Sequence, residues 1–89
     1  MSNADRDHMA RVAALGCIIC GAEAEVHHIG RQGGQRGKAL QDCIPLCPLH
    51  HRHGNTGVAV HSGRKSWEAN FGTERELLAK CLTMLNKSV

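Results

Sequence analysis

Residues 47–55, CPLHHRHGN, hold one cysteine, three histidines and an asparagine. A second pair of adjacent histidines, His27 and His28, lies upstream, and the turn Cys17-Ile18-Ile19-Cys20 precedes it. Cys17-x-x-Cys20 and Cys47-x-x-His50 each separate two donors by two residues, so a tight turn can aim both at one ion. Zinc takes four N or S donors in closed tetrahedral sites, and two such half-sites are the sequence pattern of one. Cys17, Cys20, Cys47 and His50 are the expected ligands of a structural Zn2+. Cys43 is an alternative to Cys47, but the Cys47–His50 spacing fits better, and Cys43 is expected to be free. His51 does not easily join that ion. Neighbours on a helix point about 100° apart, so once His50 is committed His51 faces elsewhere. Asn55 lies four residues on, nominally on the face of His51, although Gly54 weakens helical continuity. A second site, facing the strand that carries His27 and His28, follows from that divergence.

The composition makes a staple necessary. The chain has 89 residues, one Trp, one Phe and no Tyr. So short a domain buries a modest fraction of its surface, and aromatics normally supply much of the core. Small domains with thin cores lean on disulfides or a metal. Five cysteines, an odd number, argue against a fully paired disulfide framework. The first ten residues carry Asp5, Arg6, Asp7 and His8 with no apolar run behind them, unlike a signal peptide. No stretch approaches the roughly 20 apolar residues of a membrane span. A reducing, cytoplasmic setting is the expectation, and cysteines there bind metal or do chemistry.

The positioning elements are short. Residues 2–4, Ser-Asn-Ala, resemble a cloning remnant. Met9, Val12, Ala13 and Leu15 fit a helix from Asp5 to Leu15, ended by Gly16. EAEVHHI reads as a strand, GRQGGQRGKALQ as a glycine-rich loop, and DCIPLC as a second strand with Pro45 at an edge or end. Pro48 suits the first turn of a helix reaching about His53. Arg64 to Phe71 reads as a helix with Trp67 and Phe71 on one face. Gly72 stops it, and Thr73 with Glu76 forms a capping box for a last helix to about Leu85. Leu77, Leu78, Cys81, Leu82 and Leu85 make its apolar stripe. The expected fold class is small α+β, a single domain over residues 1–89. Its zinc-stapled core spans about 17–55 and a helical part about 64–86.

The net charge is +3, but the basic residues cluster. Between His27 and Lys65 the basic residues are Arg31, Arg36, Lys38, Arg52, Arg64 and Lys65, with Asp42 as the single acid. That asymmetry fits either an anionic partner or a plain solvated face, and charge alone does not decide; as contacts, these side chains suit phosphates better than bases.

The pattern Cys17-x-x-Cys20, His27-His28, a glycine-rich loop, DCIPLC and Cys47-x-x-His50-His51 resembles the HNH, or ββα-metal, nuclease family. The resemblance implies a ββα-metal core with flanking helices, acting as a metal-dependent DNA endonuclease. It implies that His27 is a ligand of a catalytic divalent ion, Mg2+ or Mn2+, and that His28 is the general base. It implies that His51 binds the same ion and that Asn55 assists. The family's middle Asn, which fixes the loop, falls at Asp42, a departure from the pattern. The chemistry is coherent: a neutral imidazole with pKa near 6.5 can take a proton from water, and a cation can stabilise the phosphate. Strict strand alternation sets His27 and His28 on opposite faces, so both can serve one phosphate only if the strand twists strongly or ends there. The tail GVAVHSGRKSWEANFGTERELL is similar to phage-associated recombination nucleases whose HNH domain acts with the RecA filament. That likeness implies DNA and a RecA-type recombinase as partners, in a bacterial host with a phage or prophage origin. His61 in that tail can touch phosphate or cap the next helix, and His53 can simply be exposed.

Two other readings compete. One is a non-enzymatic zinc module that binds nucleic acid or protein. The other is a zinc-dependent hydrolase of different substrates, which would want an open coordination position and a Glu base. The surplus of His27, His28 and His51 over what zinc needs favours the endonuclease.

Overall fold

A computed structural model describes residues 2–29 and 42–87 of the chain. It is a small α+β fold in which a two-stranded sheet is packed among helices. Helix α1 spans Asn3–Ala14, strand β1 Glu25–His28 and strand β2 Cys43–Leu46. A wide π-type turn follows at Leu49–His53, then a 3-10 turn at Val60–Ser62, helix α2 at Arg64–Phe71 and helix α3 at Glu74–Lys87. No helix among the described residues is long and apolar enough to cross a membrane.

Local chemistry explains where these elements start and stop. Helix α1 begins two residues before the sequence pattern suggests, because Ser2 is its N-cap. The Ser2 hydroxyl accepts from the Asp5 N–H while the Asp5 carboxylate accepts from the Ser2 N–H, a reciprocal capping box. Ser2 thus caps the domain's first helix and Asn3 begins it, whatever their resemblance to a cloning remnant. Thr73 and Glu76 make the same exchange ahead of α3, at 2.8 and 3.1 Å. Helix α2 stops at Gly72, whose φ of 109° disfavours a side chain.

The strands pair antiparallel with Glu25 opposite Leu46, Val26 opposite Pro45, His27 opposite Ile44 and His28 opposite Cys43. Every residue of β2 is buried, since α1 and α3 both pack on this strand. The core comprises Val12, Ile18, Ile29, Ile44, Leu46, Val60, Trp67, Leu77, Leu78, Cys81 and Leu85, with Cys17, Cys43 and Cys47. The α3 stripe is buried as its spacing indicates, except Leu82, which is 42 % exposed. Cys43 and Cys81 are both free and buried. Burial pushes the Cys43 thiol up to about 11, so it stays protonated and behaves as a small apolar residue.

Trp67 is fully buried and meets the edge of Phe71, their ring centres 5.8 Å apart. Phe71 meets the His50 ring edge-on at 5.5 Å. The largest core side chain therefore abuts a metal-ligating candidate through one aromatic neighbour. Trp67→Ala is expected to cost about 3–5 kcal/mol, read as a fall in the denaturant midpoint. A change below about 1 kcal/mol would show that Trp67 does not anchor the core.

Candidate functional site

Cys17, Cys20, Cys47 and His50 place their ligand atoms within 4.8 Å of one another. The first half-site is a tight turn: the Cys17 N–H donates to Ala22 O at 2.7 Å and the Gly21 N–H to Cys17 O at 2.8 Å. Ile18 N–H ties this turn to β2 through Pro45 O at 2.9 Å. The second half-site runs from the end of β2 into the π-type turn. Cys20 Sγ lies 3.7 Å from Cys47 Sγ, and His50 Nδ1 lies 3.8 Å from Cys17 Sγ and 3.2 Å from Cys47 Sγ. With Zn–S near 2.3 Å and Zn–N near 2.0–2.1 Å, a tetrahedral ion needs edges of about 3.5–3.8 Å between such donors. The cluster has the dimensions and donor set of a structural zinc site. Burial pushes the Cys17 thiol up, but backbone groups at Cys47, Cys20 and Ile19 outweigh it and leave the thiol below its ordinary value, which favours the thiolate a metal requires.

A second cluster is built from imidazoles. His27 Nδ1 lies 3.2 Å from His51 Nε2, and His61 Nε2 lies 3.1 Å from the same His51 atom. These three residues also form a group able to hold a metal ion. Its edges are close to the roughly 3.3 Å that two nitrogens span across a tetrahedral ion. His50 and His51, adjacent in the chain, thus point into different clusters.

Each element aims its histidine for a local reason. Glu25 and His27 share one face of β1 by strand alternation, and both meet His51. The far side of each ring is held by a carboxylate. His27 Nε2 lies 2.7 Å from Glu74 Oε2, at the start of α3. His51 Nδ1 lies 2.5 Å from Glu25 Oε1. Arg52 grips Glu25 from outside, with Nε 3.0 Å from Oε1 and Nη2 3.0 Å from Oε2. Arg64 Nη1 approaches Glu74 Oε1 at 3.8 Å. The hydrogen bond from His51, aided by Arg52, holds the Glu25 carboxyl below the usual range. Burial lowers the pKa of His27 although Glu74 opposes this, which keeps the ring neutral and its free nitrogen available to a metal.

His61 reaches the cluster because the chain folds back after the π-type turn. Gly54 permits the reversal: a Cβ there would lie 2.6 Å from Val58 Cγ1 and 2.7 Å from Leu49 O. Ser62 Oγ donates to Gly54 O at 2.8 Å, and Thr56 Oγ1 to Ser62 O at 3.2 Å. Asn70 of α2 pins the same loop by donating to Gly57 O at 2.9 Å.

The remaining sequence candidates sit as follows. His28 is exposed at the end of β1, on the strand face opposite His27. Asn55 is exposed, and its carbonyl accepts from Val58 and Ala59 N–H. Because Gly54 is extended, helical spacing no longer carries Asn55 onto the face of His51, and the third nitrogen beside His27 and His51 is that of His61. Asp42 accepts from Ile29 N–H through its carbonyl at 3.0 Å, and its carboxylate faces Arg75 at 3.7 Å. Arg52, Arg64 and Lys65 are exposed, and the first two reach the cluster's carboxylates. Arg31, Arg36 and Lys38 lie outside the described residues. Sequence reasoning missed Glu25 and Glu74. Alternation from His27 could have found Glu25; no spacing rule links Glu74 to a histidine 47 residues away.

The family described as recombination enhancement, RecA-dependent nuclease matches residues 2–86. The chain belongs to this family. Its name indicates nuclease activity in recombination together with RecA, which agrees with the resemblance carried by the tail. No curated protein matches the sequence.

The thiol cluster yields a direct expectation. In native, metal-loaded protein, a thiol reagent should leave Cys43 and Cys81 unmodified. A chelator should make all five thiols react together, because the fold is lost with the ion. Mass analysis showing Cys43 and Cys81 still protected after chelation would mean that the fold does not depend on the metal.

Proposed function

We propose that this chain is an HNH-type, metal-dependent DNA endonuclease acting in recombination with a RecA-type filament. The observation that carries the reading is the convergence of His27, His51 and His61 on one point, with the exposed His28 following His27 at the end of β1. A purely structural zinc module has no use for a second imidazole cluster backed by two carboxylates. In this reading Cys17, Cys20, Cys47 and His50 hold a structural Zn2+ that fixes the turn carrying His51.

His27, His51 and His61 would hold the catalytic ion, with His61 in the place that sequence spacing assigned to Asn55. The donor set bears on which ion. Three imidazoles suit first-row transition metals, whereas Mg2+ prefers oxygen ligands in octahedral geometry. We therefore favour a transition ion over Mg2+; Mn2+ is its weakest-binding member. When bound, such an ion supplies positive charge to the scissile phosphate and leaving oxygen.

The chain's own residues do the rest. His28, exposed and outside the trio, takes the proton of the attacking water; β1 ends at His28, and from that end its ring turns to the phosphate. Asp42, bonded to Ile29 just beyond His28, positions that strand end. The outer faces of Arg52, Arg64 and Lys65, with Arg31, Arg36 and Lys38, hold the DNA backbone by charge.

Plasmid cleavage in the presence of a RecA filament tests the reading. Mn2+ or Co2+ should support cutting at concentrations where Mg2+ does not. His28→Ala should keep its metal and its DNA affinity yet lose about 10²–10⁴ in rate, since a general base acts in the transition state. Wild-type cutting by His28→Ala would remove His28 from the mechanism.

A further inference from the structure

The two imidazoles at the centre of the second cluster are each clasped from behind. Glu74 is buried, 8 % exposed, and reaches His27 from the first turn of α3. Its own N–H donates to Glu68 Oε2 at 3.0 Å. The N-terminal end of a helix favours a negative side chain, and Glu74 stands in that first turn. Glu25 reaches His51 from two residues before His27, held in turn by Arg52 on both oxygens.

An ionised carboxylate only accepts hydrogen bonds. The nitrogen facing it must therefore carry the proton. That assigns His27 as the Nε2–H tautomer and His51 as the Nδ1–H tautomer. The remaining nitrogens, His27 Nδ1 and His51 Nε2, then both present lone pairs, and they face each other at 3.2 Å. No proton is left to bridge them. His61 Nε2–H can donate to His51, but His27 Nδ1 is left facing another acceptor. Two facing lone pairs repel, and a cation between them removes the repulsion.

We propose that Glu25 and Glu74 are positioning residues which lock His51 and His27 in the tautomers that expose both inner nitrogens to a metal ion. The inference rests on the metal-centre reading above and adds the two residues that make the centre competent. Carboxylate partners of this kind orient the ring and raise its basicity, and losing one typically costs about 10–100-fold in metal affinity. Helix α3, far along the chain from the His-rich segment, thereby becomes part of the centre.

Two readouts test this in the intact 89-residue chain already loaded with zinc. The first is long-range 1H–15N correlation of the imidazoles before a second ion is added. Wild type should show His27 protonated at Nε2 and His51 at Nδ1, and Glu74→Ala or Glu25→Ala should return the affected ring to a tautomer mixture. The second is calorimetric titration with Co2+. Each alanine variant should bind the second ion about 10–100-fold more weakly, with its zinc content and melting temperature near wild type. Glu74→Gln, which retains an oxygen acceptor, should recover part of the loss. Should Glu74→Ala fail to fold, Glu74→Gln and Glu25→Ala carry the test. Folded variants with wild-type Co2+ affinity, or a wild-type His27 protonated at Nδ1, would overturn the proposal and leave the metal centre standing. Wild-type protein that takes no Co2+, like His51→Ala, would overturn both.

Discussion

Two adjacent side chains on one helical turn point about 100° apart and do not easily reach the same tetrahedral ion. The arrangement of this molecule follows from that constraint. His50 closes a set with three cysteine sulfurs, and His51, one residue on, is turned towards β1. A single short turn, Leu49–His53, is thus shared by two clusters of different character. The sulfur-rich one joins the Cys17–Cys20 turn, the end of β2 and, through Phe71, the Trp67 core. The imidazole cluster joins β1, the His61 loop and the start of α3. Disturbing the first should disturb the second, because the same five residues aim both; the converse does not hold.

The second cluster reads as a chain of charge: Arg64, Glu74, His27, His51, Glu25, Arg52. Each carboxylate has a histidine on its inner side and an arginine on its outer side. Two arginines that sequence reasoning reserved for phosphates therefore have a second task, steadying the carboxylates. The two tasks are compatible. Each guanidinium has five N–H donors in a planar fork, and both side chains are more than half exposed.

Much of this was legible before any coordinates. Cysteine and histidine spacing marked the four residues whose sulfur and nitrogen atoms the fold gathers, because two-residue gaps are a local property of turns. The Thr73–Glu76 box and the Trp67/Phe71 face were legible for the same reason. What escaped was non-local. Asn55 looked like a partner of His51 by helical periodicity, but Gly54 ends the helix and the loop returns with His61 instead. Glu74 escaped because its meeting with His27 depends on how α3 packs on the sheet, which no sequence interval encodes. Glu25 could have been read from strand alternation, and was overshadowed by the histidines beside it.

If the neighbouring histidines serve two separate ions, the metal stoichiometry seen by native mass spectrometry will show it. Wild-type protein exposed to Zn2+ and then to Co2+ should carry two ions per chain. His51→Ala should remain folded with one, its zinc, and His50→Ala should lose the zinc and the fold. One ion in wild type, or loss of zinc from His51→Ala while His50→Ala retains it, would contradict the account.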